Sequence, residues 1–114
     1  MQLAFDCIFY HVRDLETAVR FYTDVLGLSL LTTDSIARLD LDGILVELIP
    51  ASGEGDFSGH GNARLCLKVA DLAKAVDDLK AKGVAVGPVH EVPNGRLASF
   101  QDPDTNELVL WQYV

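Results

Sequence analysis

Cys7-Ile8-Phe9-Tyr10-His11-Val12-Arg13-Asp14-Leu15-Glu16-Thr17-Ala18-Val19 and Arg64-Leu65-Cys66-Leu67-Lys68-Val69-Ala70-Asp71-Leu72-Ala73-Lys74-Ala75-Val76 are two copies of one pattern. At an offset of 57 residues (64 − 7), Val12 matches Val69, Asp14 matches Asp71, Leu15 matches Leu72, Ala18 matches Ala75 and Val19 matches Val76. Each copy reads as a short strand, an acidic residue placed to cap, an amphipathic helix, and then Gly27 or Gly83 as a stop. The chain is therefore an internal duplication.

In the first copy, Phe5 to Val12 is rich in β-branched and aromatic residues and predicts a strand. Asp14 stands at the N-cap, where its carboxylate can accept from free backbone amides. Leu15, Ala18, Val19, Tyr22, Val25 and Leu26 recur at helical spacing and predict one helix up to Gly27. Ile36 to Leu41 and Ile44 to Ile49 flank Asp42-Gly43, a strong two-residue hairpin signal. Pro50 ends the second of these strands. Ala51 to Asn62, rich in Gly, Ser and acids, reads as a flexible surface connection and a candidate lid.

The second copy begins near Ala63. Its strand runs to Val69, Asp71 caps, Leu72, Ala75, Val76 and Leu79 form the apolar stripe, and Gly83 stops the helix. Val84 to Val86 is expected to begin another strand. Pro93-Asn94-Gly95 and Asp102-Pro103-Asp104-Thr105-Asn106 are turns, with strands Arg96 to Gln101 and Glu107 to Tyr113 around them. Val109, Trp111 and Tyr113 share one face of the last strand. The order is β-α-β-β-β twice: an α+β chain of two tandem βαβββ repeats, about 3–50 and 63–114, joined by a linker at 51–62 in a single domain. One such unit is too small to cover both faces of its sheet. Two are expected to form a curved mixed sheet around a concave ligand cavity.

Composition narrows the function. Of 114 residues, 49% are hydrophobic and 23% charged, as in ordinary globular proteins. A net charge of −8 argues against nucleic acid, which needs a basic footprint, and against anionic membranes. No apolar run is long enough for a bilayer span, and the N-terminus has no signal-peptide pattern. Cys7 and Cys66 match no zinc spacing and read as free thiols in a reducing cytoplasm.

The run Val12 to Tyr22, followed by Val25-Leu26-Gly27-Leu28 and, near the C-terminus, by Asp102 to Leu108, resembles the vicinal oxygen chelate superfamily of glyoxalase I, extradiol dioxygenases, fosfomycin-resistance and bleomycin-binding proteins. The resemblance covers nearly the whole chain, although that family often has Gly where Thr105 stands. It implies a divalent metal held by one side chain from the first and one from the last strand of each repeat, usually His, Glu, His, Glu. The matching positions here are Cys7, Glu47, Arg64 and Val109. Only Glu47 keeps the family's residue. Arg64 is a permanent cation without a lone pair to give, and Val109 has no donor atom. The expectation is no metal and no other cofactor, with Arg64 neutralising Glu47 in the metal's place.

The resemblance makes Cys7, Glu47 and Arg64 candidate ligand-binding residues, and strand alternation adds Phe9, His11, Cys66 and Trp111, with Tyr113 beside Trp111. Glu47 and His11 are the candidate acid–base pair if there is catalysis. Each has a plainer reading: Glu47 on a solvated face, Arg64 at the surface, Cys7 as a buried inert thiol rather than an activated one, His11 at a wet strand end, the aromatic residues as core. His60 and His90 form no ligand pair by spacing. Three functions stay open: a metal-free small-molecule binder; a lactoylglutathione-lyase-like lyase or a dioxygenase with a remodelled site, the one reading under which a divalent metal is expected; and a protein-interaction scaffold. The resemblance further implies a homodimer.

Overall fold

A computed structural model of the chain describes residues 1–57 and 63–114. His60 and the end of the linker lie outside the described residues. The chain divides into two compact units, one for each repeat.

The first unit contains β1 (Ile8–Val12), α1 (Leu15–Arg20), β2 (Ser29–Thr33), β3 (Ala37–Leu41) and β4 (Ile44–Pro50). They form one four-stranded mixed sheet in the order β1-β4-β3-β2. β1 runs parallel to β4, with Phe9 opposite Glu47, and β3 runs antiparallel to β4, with Arg38 opposite Glu47. The hairpin expected at Asp42-Gly43 is present. Both turn residues have positive φ, 50° and 86°, and Asp40 Oδ1 accepts from the Gly43 amide at 3.2 Å. Asp14 caps α1 in extended conformation, accepting from the Thr17 amide at 3.3 Å and from the Thr17 hydroxyl.

The single helix expected as far as Leu26 changes pitch. After Arg20 the chain forms a π-helical turn, Phe21–Val25, closed by Leu26 N–H to Phe21 O at 3.1 Å. Thr23 supplies a reason. Its hydroxyl donates to Val19 O at 2.7 Å, so that carbonyl, four residues back, is shared with a side chain. Gly27, at φ 81°, ends the turn. β2 has no marked residue pattern because all five of its residues are exposed, and it is an edge strand with a register shift between Leu30 and Thr32.

The core of this unit lies on the helix side of the sheet: Val12, Ala37, Leu39, Val46 and Leu48 against Ala18, Phe21 and Tyr22. Each fully buried leucine there contributes about 1.5–3 kcal/mol of transfer free energy. Since alternate residues of a strand face opposite ways, burying these sends Cys7, Phe9, His11, Arg38 and Glu47 to the other face.

The second unit repeats the plan with β5 (Leu65–Lys68), α2 (Leu72–Ala81), β6 (His90–Val92), β7 (Gly95–Gln101) and β8 (Glu107–Tyr113). Its order, β5-β8-β7-β6, is the same as in the first sheet, with the first and last strands again parallel. Asp71 caps α2 through the Lys74 amide at 3.1 Å, and Gln112 Oε1 accepts from the Leu72 amide at 2.6 Å. Leu72, Val76 and Leu79 bury against Ala98, Phe100, Leu108 and Leu110. The fold class is thus α+β with a tandem βαβββ arrangement, and hydrogen bonding gathers the strands into two four-stranded sheets, one per repeat.

One strand is displaced from its expected place. Val84 to Val86 makes only an isolated bridge, Val86 to Phe100, and the ladder strand is His90–Val92. Pro88 has no amide hydrogen to give, so pairing along β7 is interrupted there and resumes beyond it. The turn before β8 is held by buried Asp102, which accepts from the Asp104 and Asn106 amides at 2.8 and 2.9 Å and from the Asn106 side chain at 2.9 Å. Thr105 sits in this turn at φ 65°, a backbone conformation that glycine adopts without strain.

Candidate functional site

In the first unit the face turned away from the helix presents a row of side chains in direct register. Phe9, Glu47 and Arg38 are cross-strand neighbours on β1, β4 and β3, and Thr32 pairs with Arg38 on β2. Glu47 is the centre of this row, and its side chain is only 17% exposed. Arg38 Nε donates to Glu47 Oε2 at 3.0 Å, and Cys7 Sγ donates to Glu47 Oε1 at 3.6 Å. Both carboxylate oxygens are therefore engaged.

Cys7 is half-buried, and its thiol is pushed above the ordinary cysteine value. Burial is the largest cause, followed by the charge of Glu47 and its hydrogen bond, and then by Asp6. All these favour the protonated thiol, the form that donates to Glu47. Phe9 is 54% exposed and meets the His11 ring edge-on at 5.6 Å. Near His11, the Asp56 carboxyl is held below the usual range chiefly by the Ser52 amide and hydroxyl.

The start of the linker is tied to this unit. Its 3-10 turn, Glu54–Phe57, is gripped by Arg13, which reaches Glu54 with Nε at 3.4 Å and Nη2 at 3.1 Å while its guanidinium lies 3.9 Å from the centre of the Phe57 ring.

In the second unit, Cys66 and Trp111 lie on the face turned away from α2, in a ladder that pairs Cys66 with Val109 and Lys68 with Trp111. The indole meets Tyr113 edge-on at 5.3 Å and covers Gly95. A β-carbon on Gly95 would stand 2.4 Å from Trp111 Cζ2, so only glycine leaves room for the ring. The Trp111 N–H is buried without an acceptor among the described residues.

Within the second unit Arg64 Nε lies 3.0 Å from Glu107 Oε2, at the start of the last strand, and within the first unit Arg38 stands beside Glu47. Register explains both. Leu65 pairs with Leu108, so the residues just before them meet, and the Asp42-Gly43 turn sets Arg38 opposite Glu47. The signal for Arg38 was available in that two-residue turn. Gly95 carried no such signal.

Of the four positions that the resemblance marks for a divalent ion, Cys7 and Glu47 lie in the first unit and Arg64 and Val109 in the second. Cys7 and Glu47 offer a protonated thiol and a carboxylate already bonded through both oxygens. Arg64 offers only donors and Val109 nothing. Among the described residues, no three His, Cys, Asp or Glu side chains converge as a metal-holding group.

Several known proteins are similar. A lactoylglutathione lyase of Arabidopsis thaliana, GLX1, is 30% identical across 90% of this chain, which spans 42% of that enzyme's length, less than half. TnmS3, an antibiotic binding protein from Streptomyces sp. CB03234, is 27% identical, with a TM-score of 0.76 over 99% of this chain and 100% of that one. The fosfomycin resistance protein FosX of Listeria monocytogenes, solved with Mn(II) and sulfate, shares the fold at a TM-score of 0.83, with 16% identity over 100% of this chain and 93% of that one. Residues 4–110 match the family model as well, and on that match, which takes in both repeats, the chain belongs to the Glyoxalase/Bleomycin resistance protein/Dioxygenase superfamily.

Proposed function

We propose that the chain binds a small organic ligand on the sheet face of its first repeat, around Glu47, and does so without a metal. One observation carries this reading: Cys7 and Arg38 occupy the two oxygens of Glu47 that a divalent ion would need. A ligand would find there an exposed aromatic ring, a polar centre and a cation within one row, the usual make-up of a small-molecule site. The similarity to an antibiotic binding protein supports it. The test is metal content by plasma mass spectrometry on untagged protein, as purified and after dialysis against Ni²⁺, Zn²⁺, Mn²⁺ and Fe²⁺. Near-zero occupancy is expected in every case. About one ion per chain would overturn the metal-free reading.

A second reading is catalysis, with Glu47 and His11 as the acid–base pair, favoured by their sharing one sheet face and by the similarity to a lactoylglutathione lyase. Turnover of methylglyoxal–thiol adducts or catechols would establish it over simple binding. We further propose a homodimer, to be tested by size-exclusion chromatography with light scattering, and residence in the cytoplasm, in keeping with two free cysteines. The net charge of −8 speaks against nucleic acid as a partner.

A further inference from the structure

Arg38 was not among the expected site residues, and its geometry says more than charge neutralisation requires. It bonds Glu47 through Nε, the nitrogen nearest the chain. Among the described residues its two Nη groups meet no acceptor. A guanidinium has five N–H donors in a rigid fork, and its outer edge matches the two oxygens of a planar or tetrahedral oxyanion. Here that edge is left open, while the inner nitrogen is anchored by a mostly buried carboxylate. An anchored guanidinium loses little further freedom when it binds, which is the condition for a pre-organised site.

The surroundings are consistent. The Arg38 side chain is 41% exposed, so its outer edge can be reached. Cys7 is a neutral thiol and adds no competing charge. Asp34 is close enough for Arg38 to lower its pKa, but the larger causes of that shift are the backbone amides of Ile36 and Ser35, to which its carboxylate is committed. In the same row, on the far side of Glu47, stands the exposed Phe9 ring, and Thr32 offers a hydroxyl next to Arg38. A cationic fork and an apolar ring two strands apart fit a molecule with an anionic head and an apolar body.

Resting on the proposal of a ligand site around Glu47, we infer that the ligand is an organic oxyanion whose carboxylate or phosphonate group docks on the Nη edge of Arg38 while its apolar part lies toward Phe9. Arg38 is then the residue that sets specificity for charge.

The probes are benzoate and phenylphosphonate, with benzamide as the neutral counterpart of benzoate, titrated into ¹⁵N-labelled full-length protein and followed by amide shifts. The expected result is that the anions shift residues of β1, β3 and β4 and bind at least about tenfold more tightly than benzamide. Arg38→Met should abolish that preference. Arg38→Lys, which keeps the charge and loses the fork, should weaken the anions about tenfold and, being the milder change, guards against misfolding of the first variant. A response to only one anion supports the inference and identifies the head group. Equal binding of benzamide and benzoate, or unchanged anion binding by a folded Arg38→Met, overturns the inference and leaves the ligand site standing. If no probe shifts that face, the inference and the site it rests on fail together.

Discussion

Gly95→Ala tests the packing of the second unit with a single methyl group. The added carbon would lie 2.4 Å from Trp111 Cζ2, 2.6 Å from Cη2 and 2.7 Å from the Gln112 carbonyl oxygen, all well inside van der Waals contact. Gly95 has no positive φ, so the backbone itself tolerates alanine, and the whole penalty is steric. Forcing a methyl into a packed site costs about 1–3 kcal/mol. Replacing glycine within a strand returns about 0.5–1 kcal/mol of chain entropy. The net expectation is a loss of roughly 1–2 kcal/mol, or about 1 M in the urea midpoint at an m-value typical of small proteins. Trp111 is the only tryptophan, so its emission reports on the displaced ring directly and should move to longer wavelength. Combining the change with Trp111→Phe, which lacks Cζ2 and Cη2, should cost less than the sum of the two single changes. Relief will be partial, because the Gln112 carbonyl cannot retreat as a side chain can. A Gly95→Ala protein as stable as its parent, with unchanged emission, would refute the contact and the role of glycine in seating the indole.

Two further outcomes follow from the ionisable groups. Asp14, Asp34 and Asp56 are held below the ordinary carboxylate value, chiefly by the Thr17 hydroxyl, the Ile36 amide and the Ser52 amide respectively. A depressed folded pKa stabilises above the unfolded value of about 4 and is lost as pH falls through the folded one, so the urea midpoint should fall steadily below about pH 4 and Asp14→Asn should reduce that slope; a flat midpoint would contradict it. Iodoacetamide should label exposed Cys66 faster than Cys7, whose thiol is raised and bonded to Glu47, and Glu47→Gln should narrow the gap. Peptide mapping decides the order, and faster labelling of Cys7 would show it to be activated.

Much of the fold is legible because the signals are local. Asp14 and Asp71 announce their helices, Gly27 and Gly83 end them, and Asp42-Gly43 closes a hairpin, each through chemistry confined to a few residues. The π-turn and β2 are harder. The first depends on one threonine hydroxyl finding Val19 O, and the second has no buried face to impose alternation. The site was legible to a similar depth. Alternation places Cys7, Phe9 and His11 on one face, and Glu47 joins them only through the pairing of β1 with β4. The ion pairs are a matter of register: Arg38 stands as far before the Asp42-Gly43 turn as Glu47 stands after it, so the turn names the partner. Arg64 is drawn to Glu107 by a parallel pairing that no short turn encodes.

The closure of each ladder within its own repeat bears on how the chain folds as it is made. Parallel pairing joins Leu65 to Leu108, 43 residues apart (108 − 65), and Ile8 to Val46, 38 apart (46 − 8), so neither sheet requires a loop across the full chain. Contacts of moderate separation form faster than those spanning a whole domain. At synthesis rates of about 5–20 residues per second, the second repeat takes several seconds to be made. The first sheet, with Glu47 and Arg38 already in register, can be complete before the partners of Leu65 exist. The face around Glu47 and Arg38 is thus built from residues of the early half of the chain alone.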